Sequence, residues 1–576
     1  MRTALVIASL VLLSCSPATN EVEEPSPEFV PGEVLVKFRS DVTEAQATVA
    51  LSSANIERTH FIASVGVHRC RILSDEAVLD AVRRCRENPS VEYAEPNYVY
   101  RASALPDDPR FESLWAMQNA NDADIDADEA WDTQTGARDV LIAIIDTGVD
   151  YTHEDLAANM WRNPGESGEG RESNGVDDDG NGFVDDVFGW DFVSDDNDPI
   201  DDNAHGSHVA GTVAAVGNNG VGVAGVNWRA SVMALKFLDR NGSGSTADAI
   251  DAMTYAVENG AHILNNSWGG GGFSQALLEA IELVRDRNAL FVAAAGNEGR
   301  DNDMQPSYPA SYDVENVVAV AASDRNDQLA TFSNFGATSV DLAAPGVGIL
   351  STTPGNAYRS FDGTSMATPH VSGVAGLILA SFPGLAPRAT AIRIVGGSDV
   401  VPAFASSTSS SGRLNAAGAL ATAPRVAFVT RWSDTGDSNG PYGVRAEATD
   451  DGGVAAVALH YSVGGGATQV VAMQSIGGFA HSGEIPGQPL GSTLRYFVQV
   501  TDDDGNVAQS RSFSFRISGE PPTPPPTPEC GNFAVTLGAP WWGGSSGGGL
   551  GAVVWNVGIV ALQLLVAAMA IRFTRR

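Results

Sequence analysis

Residues 140–148, VLIAIIDTG, place an unbroken apolar run directly before an acid and a tight turn. Six apolar residues in succession, with no polar face at period 2 or 3.6, read as a strand buried on both sides. The same signature returns at 232–237, 263–266, 290–295 and 317–321, with helical patterns at 247–258 and 275–288 between the runs. Alternation of this kind from 139 to about 380 predicts an α/β fold, a doubly wound parallel sheet covered by helices on both faces. In such sheets ligands meet the carboxyl ends of the strands. Three polar residues stand at such ends: Asp146 in IIDTG, Ser267 in NNSWGG and Asn297 in AAAGNEG.

Two further stretches carry chemistry. Residues 363–376, GTSMATPHVSGVAG, deliver Ser365 from a small-residue turn into an apolar helix whose Gly373, Ala375 and Gly376 leave room only for close packing. A helix start offers unpaired N–H donors to negative charge developing beside the hydroxyl, and Pro369 near the first turn removes few hydrogen bonds. Residues 205–212, HGSHVAGT, supply imidazoles at His205 and His208. A neutral imidazole can take the proton of Ser365 and return it to a leaving amine, while a carboxylate fixes its tautomer. Asp146, His205 and Ser365 can form that set. Each residue also has a plainer reading: Asp146 as a turn residue, His208 instead of His205 as the base, Asn297 as a helix cap.

The order Asp, His, Ser, with these flanking motifs, resembles the subtilisin-like serine proteases over about residues 111–423. The resemblance implies Asp146 as orienter, His205 as general base and acid, Ser365 as nucleophile and Asn297 as oxyanion donor, with His208 structural. It also implies a substrate groove. Ser267, Trp268 and Gly269 on one side and Gly242, Ser243 and Gly244 on the other would pair with an extended peptide backbone. Ala294, Ala295 and Gly296, with residues 307–310, would line the first specificity pocket. No acid stands at the expected pocket floor, so large neutral or apolar side chains are expected there. Trp268 would narrow the groove, and Glu298 at its rim would tolerate basic groups.

Calcium is expected as cofactor at two places. Asp177, Asp179, Asn181 and Asp185, with Gly182 for the sharp turn, follow the spacing of an EF-hand-type loop that lacks its final Glu. By resemblance, Asp155, Asn219 and Gln118 would hold a second ion, completed by the carbonyls of Gly217, Val221 and Val223.

The flanks fit export. Residues 1–15, MRTALVIASLVLLSC, form a signal peptide whose end resembles a bacterial lipobox at Cys15, and 16–28 form a polar tether. Residues 30–100 predict a small α+β unit. VPGEVLVKF and VEYAEPNYVY within it resemble the family's inhibitory propeptides, which places self-cleavage between about 101 and 109. Cys70 and Cys85 can pair in an oxidising compartment. After the protease pattern, 424–518 alternate as in an immunoglobulin or fibronectin type III β-sandwich, with a hairpin turn at 503–506. Residues 519–549 are a Pro- and Gly-rich linker, and 550–571 are apolar enough to span a bilayer before Arg572, Arg575 and Arg576. That tail resembles a GlyGly-type bacterial sorting signal. Cys530 has no evident partner.

The net charge of −36 disfavours nucleic acid and anionic lipid as partners and suits divalent cations. The expected partners are protein substrates, the chain's own propeptide, and a membrane through the C-terminal helix or an N-terminal lipid. The sequence thus predicts a secreted, calcium-stabilised, self-processed serine endopeptidase on a bacterial surface. The alternative is a surface binding protein built on an inactive protease fold.

Overall fold

The computed structural model describes residues 29–74, 76–99 and 105–518. The predicted signal peptide, lipobox, linker and spanning helix, with Cys15 and Cys530, lie outside the described residues, as do residues 101–104 of the predicted cleavage segment. Among the described residues no helix is long and apolar enough to cross a membrane.

The first unit is α+β, as predicted. Strands β1 (Phe29–Phe38), β2 (Ile56–Ile62), β3 (Val67–Ile72) and β4 (Val91–Tyr98) form one sheet in the order β2-β3-β1-β4. Helices α1 (Glu44–Ser53) and α2 (Val78–Arg86) accompany it. Val34 and Val36 alternate inward to meet Val78, Ala81 and Val82. Cys70 and Cys85 belong to this core as free, buried thiols, not the pair the sequence allowed. Burial pushes the Cys70 thiol up to about 12, so it carries no thiolate at neutral pH.

The central sheet contains every strand the sequence predicted. After α3 (Ala127–Trp131) come β5 (Leu141–Asp146), β6 (Gly189–Asp191), α4 (His205–Ala214), β7 (Ser231–Lys236), α5 (Thr246–Glu258) and β8 (Ile263–Asn266). Then follow α6 (Gln275–Asp286), β9 (Leu290–Ala294), β10 (Val317–Ser323), β11 (Leu342–Pro345) and the hairpin β12 (Ile349–Thr353) with β13 (Ala357–Phe361). Helix α7 (Thr364–Ser381), α8 (Pro387–Gly396), β14 (Asp399–Val400), β15 (Gly412–Arg413) and α9 (Ala416–Leu420) complete the region. The strand order is β14-β15-β11-β10-β9-β8-β5-β7-β6, parallel except for β14 at one edge. β5 lies between β7 and β8, and all six of its residues are buried. Alternate residues face two separate cores. Ile142 and Ile144 pack with α4 and α7, whereas Leu141, Ala143 and Ile145 pack with α5 and α6. Burial on both faces is why the run has no period.

The predicted sandwich follows. β16 (Arg425–Ala427), β17 (Tyr442–Thr449), β18 (Val454–Val463), β19 (Gln469–Ala472), β20 (Gln474–Gly477), β21 (Ala480–Ile485), β22 (Thr493–Asp502), β23 (Val507–Gln509) and β24 (Phe513–Arg516) form two sheets. Leu494, Tyr496, Val498 and Val500 of β22 point into the shared core. Residues 503–506 turn between β22 and β23, as the sequence predicted.

The sandwich is packed onto the central α/β region, not strung behind it. Arg388 of α8 donates from Nε to Glu447 Oε2 of β17 at 2.6 Å and stacks over Phe428 at 3.7 Å. Ile392 and Val395 of α8 share a small core with Ala427. Arg511, ahead of β24, donates to the Ser409 carbonyl at 2.8 Å and to the Ser411 hydroxyl.

Candidate active site

α4 and α7 bring two of the three predicted catalytic residues to the carboxyl end of β5. Asp146 closes β5 and is fully buried. Its Oδ1 lies 2.8 Å from His205 Nδ1 and also accepts the Thr147 amide at 2.7 Å. Two donors on one oxygen fix the carboxylate plane. His205 opens α4 with its side chain 27% exposed, so the far ring edge faces solvent. Burial opposes charge on this imidazole, but the Asp146 carboxylate, aided by Asp201, outweighs it and holds the pKa above the usual 6.5.

The start of α4 is held by a residue the sequence reading did not name. Asp201 accepts from the amides of Asn203, Ala204 and Ser207 and from the Thr147 hydroxyl, at 2.8 to 2.9 Å. It thereby joins the β5 turn to the helix that carries His205. The Asp201-Asp202-Asn203 cluster just ahead of the helical pattern was its sequence signal. Ala204, beside His205, sits at φ 96°, a left-handed backbone that costs a non-glycine residue about 1 to 3 kcal/mol. Gly206 is required by contact: a Cβ there would lie 2.0 Å from the Gly148 carbonyl oxygen. His208 is buried and bonds to the carbonyls of Ile349 and Arg359. Burial pushes it down to about 4. It pins the β12–β13 hairpin and does not face His205's partner.

Ser365 is the second residue of α7. Its Oγ donates to the Ser267 carbonyl at 2.9 Å, and Ser267 Oγ donates to the Ser365 carbonyl at 2.9 Å. That carbonyl is free because Pro369, four residues on, has no N–H to give it. Pro369 is therefore the sixth residue of α7, beyond the first turn where the sequence placed it, and the bond it removes is replaced by Ser267. Behind the hydroxyl, a Cβ at Gly373 would lie 2.5 Å from Val226, the tight packing that the small residues implied.

Asn297 accepts through Oδ1 from the Thr364 amide at 2.8 Å and the Thr364 hydroxyl at 3.0 Å. Its Nδ2 is thus turned outward. Both Nδ2 and the Ser365 amide nitrogen lie within 4 Å of where a Gly363 Cβ would sit, so two nitrogens stand at the turn that leads into Ser365. Asn334, also absent from the sequence reading, holds the turn in place. It bonds to the Ala295 carbonyl and Glu298 Oε2 through Nδ2 and to the amides of Glu298 and Arg300 through Oδ1.

The groove differs from expectation in detail. Ser267 is buried behind the hydroxyl it supports. Trp268 is half-buried, its ring 4.9 Å from Phe237. Gly269 approaches the Tyr308 carbonyl, where a Cβ would come within 3.4 Å. Gly242 and Ser243 are not a strand. They form an exposed turn in which Asp239 Oδ1 accepts the Ser243 amide, with Gly242 at φ 74°, and Gly244 follows beneath Phe237. Ala294 ends β9, the Ala295 carbonyl is taken by Asn302 and Asn334, and Gly296 adopts φ 111° against Asn334. Glu298 is not a free acid at the rim: Asn334 and Arg300 bond it at 2.9 and 3.1 Å and, against the effect of burial, hold its pKa low.

Residues 137–410 match the Subtilase family model, and residues 16–97 match the Fervidolysin N-terminal prodomain. A thermophilic serine proteinase of Bacillus sp. (strain AK1) is 39% identical over 351 residues, 61% of this chain and 78% of the relative. The chain belongs to the subtilase family. Thermitase of Thermoactinomyces vulgaris is 40% identical over 273 residues, covering 47% of this subtilase and 85% of thermitase. A protease structure from Pseudoalteromonas arctica matches 55% of this subtilase and 99% of its own chain at 32% identity and TM-score 0.46. This subtilase is a serine endopeptidase with a fervidolysin-like prodomain.

The acidic insertion of the subtilase folds back on itself. Asp177 accepts the amides of Gly180, Asn181 and Gly182. Carboxylate oxygens of Glu166, Asp177 and Asp179 lie within 4.8 Å of one another. Glu166 is fully buried, and its Oε2 has no hydrogen-bond partner. Three acids and one buried, unsatisfied oxygen fit a hard cation. Asp185 stands apart, accepting the amides of Asn174 and Gly175, while Asn181 bonds Asp186 and Asp179. Glu166 joins the cluster from upstream of the loop, a proximity that loop spacing cannot reveal.

The second predicted site assembles only partly. Asn219 Nδ2 donates to Asp155 Oδ1 at 2.8 Å, and the Val223 amide and the Tyr358 hydroxyl satisfy Oδ2. Gln118 is elsewhere, bonded to Asp128 at 2.6 Å. The residues that reach the Asn219 loop are Asp107, which accepts the Gly220 amide, and Asp108, which accepts the amides of Asn218 and Asn219.

Proposed function

We propose that this subtilase is exported as a self-inhibited precursor, cleaves itself between about 101 and 109, and then hydrolyses peptide bonds in proteins through Asp146, His205 and Ser365. The observation that carries the reading is the 2.8 Å contact of His205 Nδ1 with buried Asp146; it is supported by the Ser365 hydroxyl resting on the Ser267 carbonyl, just past the end of β8, the strand paired with β5. With substrate bound, Ser365 Oγ leaves its resting partner Ser267 and attacks the scissile carbonyl carbon, passing its proton to His205 Nε2. Asp146 holds the imidazole by Nδ1 and steadies the cation. Negative charge on the former carbonyl oxygen is met by Asn297 Nδ2 and the Ser365 N–H, a contribution of about 3 to 4 kcal/mol for one such donor in subtilisin itself. The C–N bond then breaks as the amine takes the proton from His205. Water, activated by the same imidazole, hydrolyses the acyl-enzyme.

Calcium is proposed at Glu166, Asp177 and Asp179, where it would neutralise three crowded carboxylates and tie the acidic insertion down; Asn181 and Asp185 support the loop around them. Export is supported by the leader and by a relative of Natrialba magadii described as an extracellular serine protease. The domain limits given above, surface display through the GlyGly-type tail and the membrane span at 550–571 belong to this proposal as sequence readings. The test is labelling of the mature protein with a fluorophosphonate probe. Covalent mass added at Ser365, and lost with His205→Ala, is expected; no labelling of intact protein would favour a binding protein on an inactive fold.

A further inference from the structure

A cavity of about 320 Å³ lies between the peptidase region and the sandwich, on α8 and not at the triad. Its apolar wall comes from both sides: Val395 and Val400 from the peptidase, Val426, Phe428, Val429 and Phe513 from the sandwich. Interfaces between packed units are where concave, mostly apolar sites with a few fixed polar groups occur. Two guanidinium groups, Arg431 and Arg511, reach the same space.

The charge around them is unusual for this chain. It has 70 acids against 34 bases, so a cation here is expected to find a carboxylate. Among the described residues, neither Arg431 nor Arg511 has one within ion-pair distance. Arg511 spends its terminal nitrogens on the neutral oxygens of Ser409 and Ser411, and its Nε is buried without a partner. Arg431 is exposed and has no hydrogen-bond partner among the described residues. Burial, with the neighbouring Arg431 charge, lowers Arg511 to about 10, the mark of a cation lacking its counterion. The one acid on the wall, Asp341, is turned to the Ala319 amide and Ser409, and burial raises it to about 6.

We propose that this cavity binds the C-terminal carboxylate of a peptide ending in an apolar residue, with the carboxylate on Arg431 and Arg511 and the last side chain against Phe428, Phe513 and the valines. Planar guanidinium groups match a carboxylate, and the apolar wall of a 320 Å³ space accepts one side chain of that size. Such termini are what an endopeptidase releases; that clause rests on the proposed function, but the site does not.

The experiment titrates N-acetyl-Ala-Phe into the full chain carrying Ser365→Ala, by calorimetry, beside the C-terminal amide and octanoate. Saturable binding of the acid, at least about tenfold weaker for the amide and for octanoate, is expected. Arg431→Ala should remove that preference while leaving peptide hydrolysis in the otherwise wild-type enzyme unchanged, and Arg431→Lys should restore part of it. Equal binding of acid and amide, octanoate as tight as the peptide, or binding untouched by Arg431→Ala would each overturn the proposal. The last outcome would place the peptide in the catalytic groove instead.

Discussion

Ser365 and Ser267 exchange two hydrogen bonds, each hydroxyl donating to the other's carbonyl at 2.9 Å. The pair joins the nucleophile's helix to the end of β8 at the point where Pro369 leaves a carbonyl unpaired. In the proposed mechanism the Ser365 hydroxyl exchanges this resting bond to the Ser267 carbonyl for one to His205 when substrate arrives.

The first prediction concerns maturation. Ser365→Ala removes one hydroxyl from a helix whose packing is unchanged, so the variant is expected to fold and to retain the prodomain. Intact mass, measured on protein from a host lacking other proteases, checks this. A variant still cut between about 101 and 109 would show that this site does not perform the cleavage.

The second concerns pH. The base form of His205 is needed for attack, and its pKa stands above 6.5 because of Asp146. The acid limb of kcat/KM should therefore have its midpoint above 6.5, and Asp146→Asn should move it down while lowering kcat by about 10⁴-fold. For stability the sign is opposite. The His205–Asp146 attraction is fully present below 6.5 and is lost as pH rises through the raised folded value. Rate profiles and denaturation midpoints across pH 5 to 9 measure both.

A third prediction concerns calcium. Ion binding to the folded chain alone stabilises by about 2.7 kcal/mol at a hundred times Kd. Excess chelator should lower Tm and expose the 166–186 insertion to proteolysis, and Glu166→Gln should abolish the calcium-dependent part of Tm. A melting temperature indifferent to chelator would sink the assignment.

The sandwich gives a fourth. Arg388 and Glu447 have side chains only 17% and 8% exposed; Glu447 also holds Arg445 at 3.2 Å, so removing Glu447 is the change that strands buried positive charge. Glu447→Ala should cost about 3 to 5 kcal/mol in urea unfolding, whereas Arg388→Met with Glu447→Leu should recover most of it. Equal losses from the single and double variants would show that the pair does not couple the two regions.

The sequence by itself determined the sheet, because a strand such as Leu141–Asp146, buried on both faces, must be apolar at every position. It also determined Asp146, His205, Ser365 and Asn297 as candidates, since each stands in a short motif whose turn or helix start is local chemistry. The tertiary structure alone decided what those residues lean on. Ser267, Asn334 and Asp201 act through hydrogen bonds between segments; Ser267 stood at a legible strand end and Asp201 in an acidic cluster, but Asn334 left no sequence signal. It set Asp108, not Gln118, against the Asn219 loop and Glu166 beside Asp177 and Asp179, because such groups are gathered by proximity and not by spacing. It also made the sandwich part of the peptidase's packing through Arg388 and Glu447, 59 positions apart in the chain. Neither residue is distinctive in the sequence, and burial is what makes their pairing matter.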